Sequence, residues 1–482
     1  MATDDEREDQ PGASPAPNLS TEFTAGDTAA GLENIRAQRD DLISSSSSAA
    51  PMSPTLEEIS AQAVARARKV LQQLTEVVSN TDSVALLATL SGLRLTHAEG
   101  EEIDVDSFAR WQAKLEFLTW LAATRPSANT NAAVVDAKLI ERVEGLLEEY
   151  FNDESLAVAG SDGDADPEVR SLQRSLLVEA MHVRGEGTPE MVQFLQFLAR
   201  GIYFLHRDWF TANLGFTCDD AIEIADQIFA LQSERLRDAY ERGHAAADAV
   251  QAGWEAAAER AVENRSPDET SLVEAVAERG LDWVTSYVGS NEVVSRMREV
   301  RGFTVDELSA AVLDAFREKL PAFLQFFSRG FGQLPGSPSP IEFNPLVQTP
   351  LLLEGNRYFL FVPPLLWEAI LNSPHYALIG DGQYRTIYDD ARADWLEQQA
   401  TEAFRRLWPD AQIGWSLAYG PSAKRAELDG LILQGNKAII IECKWKSRTL
   451  VARRGDSNAL RKDIAQSILN AFEQGRRARD YI

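Results

Sequence analysis

The chain has 482 residues, too many for one hydrophobic core, so two to four compact units are expected. A net charge of −27 argues against indiscriminate coating of a polyanion, and no apolar run approaches the roughly 20 residues a membrane helix needs. Two cysteines, Cys218 and Cys443, exclude a disulfide framework, and the acidic start MATDDEREDQ is unlike a secretory leader, so a cytoplasmic protein outside the membrane is expected.

Residues 1–55 combine PGASPAP, five consecutive serines and PMSP with ten acids against three arginines, which predicts a disordered acidic, Ser/Pro-rich tail. Helical periodicity begins at Thr55 with a capping-box pattern (Thr55, Glu58) and dominates 56–329, predicting one or two helical domains. Apolar residues recur at three- and four-residue spacing in Ser107 to Ala123, Val134 to Phe151, Met191 to Trp209, Asp219 to Ala247 and Val305 to Phe326. Breaks are expected at Asn152 to Asp166 and at Glu263 to Thr270, both rich in acids and turn formers. Residues 330–390 open on a Gly/Pro/Ser-rich stretch and read as a linker and connector. The connector holds a hairpin around Glu354-Gly355-Asn356, stopped by Pro363-Pro364. From Ala391 to Ile482 the order is helix, strand, strand, strand, helix.

The chemistry concentrates in AELDGLILQGNKAIIIECKWK, residues 426–446, where two apolar runs flank Gly435-Asn436. A two-residue loop there pairs Gln434 with Lys437 and, counting back, sets Asp429 opposite Glu442. Directly opposed side chains share a sheet face, so two carboxylates converge, an arrangement that is costly without a cation between them. A hard divalent ion such as Mg²⁺ or Mn²⁺, held by one or two carboxylates, waters and a substrate phosphate, fits. Lys444 lies two residues beyond Glu442 and faces the same side, where it can assist an attacking water and offset charge on a phosphorus. Glu427 shares that face as an accessory ligand or as a partner for Lys444.

These residues resemble the PD-(D/E)xK phosphodiesterase superfamily of restriction and repair nucleases, with Asp429 as the motif aspartate and Glu442-Cys443-Lys444 as its E-x-K. Leu428 stands where the motif name has proline. The resemblance covers residues 391–482 and implies an α/β restriction-endonuclease-like core behind a mostly α-helical N-terminal region. It implies Mg²⁺ or Mn²⁺ held by Asp429, Glu442 and the backbone carbonyl of Cys443. It also implies catalytic contributions from Asp429, Glu442, Lys444, Glu397 on the preceding helix and Gln474 on the following one. Glu397 shares a helix face with Ala400 and Phe404, whereas Glu402 aligns with Gln398, Arg405 and Arg406 toward solvent. The common core of such proteins carries one more strand after the second helix, so either the sequence belongs to a longer protein, the favoured expectation, or another element closes the domain.

Residues 437–482 reverse the overall charge, with eleven Lys or Arg against five acids. Lys446, Arg448, Arg453 and Arg454 between strand and helix are expected to bind phosphates of a nucleic acid, DNA in first place. The resulting expectation is a metal-dependent nuclease, with defence or restriction as its setting. The helical region is left for recognition, regulation or oligomerisation, and the alternative is an inactive nuclease-fold binding or assembly protein. The five histidines show no metal-ligand spacing and no phosphate-binding G-x4-G-K-[ST] motif is present. The aromatic string FLQFLARGIYFLHRDWF reads as core.

Overall fold

The computed structural model describes residues 56–96, 105–126, 135–160, 189–336, 338–340, 344–420, 425–444 and 457–481. The acidic tail expected over 1–55, with its capping residue Thr55, lies outside them. The described chain is mostly helical, with a mixed sheet and an antiparallel sheet in its C-terminal part. None of the described helices is long and apolar enough to cross a membrane.

Helix α1 (Leu56–Asn80) buries Ala63, Ala67, Val70, Leu74 and Val77, the three- and four-residue stripe of an amphipathic helix. After α2 (Ser83–Thr96) and α3 (Val105–Ala123), α4 (Ala137–Gly160) packs on α1 and buries Val143, Leu147, Tyr150 and Phe151. The break expected from Asn152 is absent as far as Gly160, where α4 ends. Asp153, which suggested a loop, is buried on the helix and accepts from Arg66 Nε and Nη2 at 2.9 and 2.7 Å.

Helix α5 (Pro189–Tyr203) passes through one 3₁₀ turn (Phe204–His206) into α6 (Arg207–Leu214). The 41-residue α7 (Cys218–Ala258) starts on a capping box made by Thr217 and Asp220. At the second expected break Ser266 and Glu269 form another capping box and open α8 (Pro267–Arg279). Helix α9 (Leu281–Arg301) packs along α7, and at Gly243 the approach is so close that a Cβ would lie 2.8 Å from the Gly289 oxygen. The single helix suggested over Val305 to Phe326 is instead three pieces, α10 (Val305–Ala311), α11 (Asp314–Arg317) and α12 (Leu320–Phe327). Val312 and Leu313 are extended, and Pro321, in the first turn of α12, has no N–H to continue a helix from before it.

Strands β1 (Gly302–Thr304), β2 (Ser328–Gly330), β3 (Leu351–Glu354) and β4 (Arg357–Phe359) form a sheet of order β1-β4-β3-β2. The β3–β4 hairpin pairs Glu354 with Arg357 across Gly355-Asn356. Both faces of this sheet are buried. Phe303, Leu351 and Tyr358 point into one apolar cluster with α5, α7 and α12, whereas Leu352 and Phe359 point into the other with α1 to α4. The stretch that read as a connector therefore supplies the wall between two cores. Pro363-Pro364 opens a helix, α13 (Pro364–Gly380), with proline in its first turn. Helix α14 (Arg385–Leu407) begins six residues before the expected Ala391.

The last part is α14, then β5 (Gln412–Tyr419), β6 (Ala426–Gln434) and β7 (Lys437–Ile441) in an antiparallel sheet of that order. It closes with α15 (Ser457–Ile464), a π-helical stretch (Ala465–Leu469) and α16 (Asn470–Tyr481). Helix α14 packs on β5 and β6, and α16 on β6 and β7, where Gly475 lies over Ile440.

Candidate active site

The site is built by the β6–β7 hairpin. Gly435 has φ near +60°, a conformation that glycine adopts without strain, and the two-residue loop Gly435-Asn436 sets the register. Pairing runs from Gln434↔Lys437 to Gly430↔Ile441, the register expected from the loop. Leu428, Ile432 and Ile441 are buried. Alternation along β6 puts Asp429 on the face opposite Leu428 and Ile432. Gly430 sits beneath Trp415, whose ring would lie 2.7 Å from any Cβ there.

Asp429 and Glu442 fall at the next register step, one beyond the last ladder pair. The ladder stops there for a reason: Asp429 Oδ2 accepts the Cys443 N–H at 2.7 Å, so a side chain takes an amide at the point where the strand ends. The same oxygen lies 3.4 Å from Lys444 Nζ, which is 3.2 Å from Glu442 Oε2. Lys444 thus bridges the two carboxylates. Glu427, offered above as its partner, is exposed and makes no ion pair with it.

The Glu442 side chain is 5% exposed, and its Oε1 is buried without a hydrogen-bond partner. Burial, then the Asp429 charge, raises its pKa against the opposing pull of Lys444. Glu397 is half-buried on α14; burial raises its pKa first, followed by the charges of Asp429, Asp394 and Glu427. The Asp429 charge therefore bears on both glutamates. Glu402 is exposed and pairs with Arg406. Burial and Asp429 push the Cys443 thiol up to about 11, which keeps it protonated at neutral pH.

Helix α14, which carries Glu397, is fixed at its other end by a buried polar cluster. Tyr388 stacks on Tyr203, and the Tyr203 hydroxyl donates to the Leu371 carbonyl. His375 Nδ1 lies 2.8 Å from the Tyr388 hydroxyl and 3.0 Å from Arg392 Nη1. A guanidinium can only donate, so His375 Nδ1 accepts and the ring is neutral. Burial, then Arg392, pushes its pKa down to about 4, with Asp389 opposing. An unfolded chain takes up this proton near 6.5, so His375 makes stability fall as pH drops from about 6.5 to about 4. His375→Gln is expected to flatten that part of the stability profile in urea titrations. An unchanged slope would remove His375 as its source.

Two features escaped the sequence reading. Ser416 has φ +48°, unusual for a non-glycine residue, and the β5–β6 ladder skips it where it would face Asp429, between Trp415↔Gly430 and Leu417↔Leu428. The bridging position of Lys444 is the other. Gln474 is half-buried on α16, and its Oε1 is also buried without a partner. No hydrogen bond joins it to Asp429, Glu442 or Lys444. Lys446, Arg448, Arg453 and Arg454 lie outside the described residues.

Among the described residues no three Asp, Glu, His or Cys side chains are grouped closely enough to hold a metal ion unaided. Mg²⁺ does not require three, since it uses one or two carboxylates with waters and phosphate. Paired carboxylates and an orphaned buried oxygen fit such an ion. No protein-family profile matches the sequence, and comparison with characterised proteins and with solved structures returns no match.

Proposed function

We propose that the chain is a divalent-metal-dependent phosphodiesterase acting on DNA, with a restriction-endonuclease-like core over its last hundred or so residues. The observation that carries this reading is the meeting of Asp429, Glu442 and Lys444 at the end of one hairpin, with Glu442 Oε1 buried and unpartnered. Helices α14 and α16, which flank the hairpin's sheet, carry the remaining candidates, Glu397 and Gln474.

Asp429 and Glu442 would hold Mg²⁺ or Mn²⁺, with the Cys443 carbonyl as a further ligand. The bound ion supplies Lewis acidity and lowers the pKa of water. The Cys443 N–H holds the Asp429 carboxylate in place. Lys444, on its flexible stem, donates to the scissile phosphate and offsets the negative charge that develops there. Glu397 stands at the margin of the site with a raised pKa, suited to accepting a proton, and Gln474 offers an amide for a water or a phosphate oxygen.

Charge favours a nucleic acid at this end. Arg461, Lys462 and Arg477 are exposed on α15 and α16, adding to the basic stretch 446–454 in a chain of net charge −27. By fold-level analogy, a nuclease core behind a large helical region suits defence or restriction in the cytoplasm, with the helical region recognising a partner or a second copy.

The test is cleavage of supercoiled plasmid and of single-stranded RNA by the full chain with Mg²⁺ or Mn²⁺. Plasmid cleavage is expected, lost with EDTA and reduced by at least about a hundredfold in Asp429→Asn. Preferential RNA cleavage would change the substrate. No cleavage of either, or cleavage indifferent to Asp429→Asn, would leave a nuclease-fold binding protein as the better reading.

A further inference from the structure

The Lys444 ammonium occupies the place from which a cation would bridge Asp429 Oδ2 and Glu442 Oε2, at 3.4 and 3.2 Å. We propose that Lys444 is the resident counter-ion of the metal-free site and that a divalent cation enters only by displacing it. This deepens the metal-dependent reading and rests on it.

Three observations support the exchange. First, the carboxylates need a cation at all times: their side chains are only 17% and 5% exposed, so water cannot solvate them fully. Among the described residues Lys444 is the only cation in ion-pair range of either. Second, the ammonium is a loose fit. Both distances exceed the roughly 2.7–2.9 Å of a strong charge-assisted hydrogen bond, and Glu442 Oε1 is left buried and unpartnered. A smaller ion of twice the charge, ligated at about 2.1 Å, supplies what the ammonium leaves unmet. Third, the site is built for one party to leave and the other to stay. The Lys444 side chain is 28% exposed on a flexible four-carbon stem, while Asp429 Oδ2 is pinned by the Cys443 N–H at 2.7 Å.

Two cations cannot share the position, because a divalent ion and an ammonium within about 4 Å repel by several times the thermal energy even in a well-screened site. The lysine is thereby released at the moment the metal arrives. A phosphate oxygen then becomes its natural partner, so metal loading and lysine availability are one event.

The exchange is tested by Mn²⁺ binding to the full chain without nucleic acid, using calorimetry and electron paramagnetic resonance of free Mn²⁺. Lys444→Met is expected to bind Mn²⁺ at least about tenfold more tightly than the wild type, since the competing charge is gone. Asp429→Asn is expected to lose the site in both backgrounds. Lys444→Gln and the Mn²⁺-induced rise in melting temperature provide a second variant and a second readout. Equal or weaker binding by Lys444→Met, with wild-type binding that still depends on Asp429, overturns the exchange and leaves the metal reading standing. Wild-type binding that Asp429→Asn leaves unchanged, or no binding by any form, overturns both.

Discussion

Glu442→Gln is expected to reduce Mg²⁺-dependent cleavage by about 10²–10³-fold, the scale for losing one element of a preorganised electrostatic site, while the protein stays as stable as the wild type or becomes more so at neutral pH. Both halves follow from the same geometry. The Glu442 carboxylate is almost fully buried, faces Asp429 and has one oxygen without a partner. Burial and Asp429 together outweigh the help of Lys444, so its folded-state pKa is raised above 4.5. A carboxyl with a raised folded pKa contributes stability below its unfolded pKa and loses it as pH rises through the folded value. At pH 8 the ionised side chain is therefore a net liability that the amide removes. The melting temperature of Glu442→Gln should equal or exceed that of the wild type at pH 8, and the difference should shrink as pH falls toward 4.5. A variant that melts well below the wild type yet still cleaves would show that Glu442 is a structural acid.

The part of the site that was legible in the sequence is the part fixed by local rules. Gly435-Asn436 between two apolar strands determines a register, and a register determines which side chains meet, so the convergence of Asp429 and Glu442 followed from counting. Helical spacing put Glu397 on the inner face of α14, and the residue is half-buried there. What could not be read depends on distant partners or on side-chain rotamers. Asp153 looked like a loop residue because its partner, Arg66, is 87 positions away. Helix α13 was missed because PLLWEAILNSPHYALIG is apolar on nearly every side and contains Pro374, leaving no one-sided periodicity to detect. The aromatic string expected in the core divides: Tyr203 and Phe210 are buried, while Phe194, Phe197 and Phe204 are at least half exposed. Alternation predicts the face of Lys444 but cannot choose between Glu427 and the Asp429–Glu442 pair. That choice is made by burial, since a half-buried ammonium is drawn to the carboxylates least able to reach water.

Phe359→Ala is expected to destabilise the fold by about 3–5 kcal/mol, the cost of emptying a fully buried aromatic site. Against a total of about 5–15 kcal/mol for a typical domain this is a large fraction. The position is chosen because β4 lies in the wall between two apolar clusters. Phe359 is wholly buried, stacks on Phe361 at 5.5 Å and lies so tightly on Gly302 that a Cβ there would approach its ring to 2.5 Å. It pairs across the sheet with both Gly302 and Leu352, so its removal loosens β1 and β3 together. Backbone atoms of the strands cannot collapse into the gap without breaking the ladder, which places the cost toward the upper end. The neighbouring Tyr358 points to the other cluster and is only half-buried, so Tyr358→Ala should cost less. Urea unfolding of both variants measures the contrast. A Phe359→Ala loss below about 1 kcal/mol, or one no larger than that of Tyr358→Ala, would mean that the sheet does not support the helices on the Phe359 side.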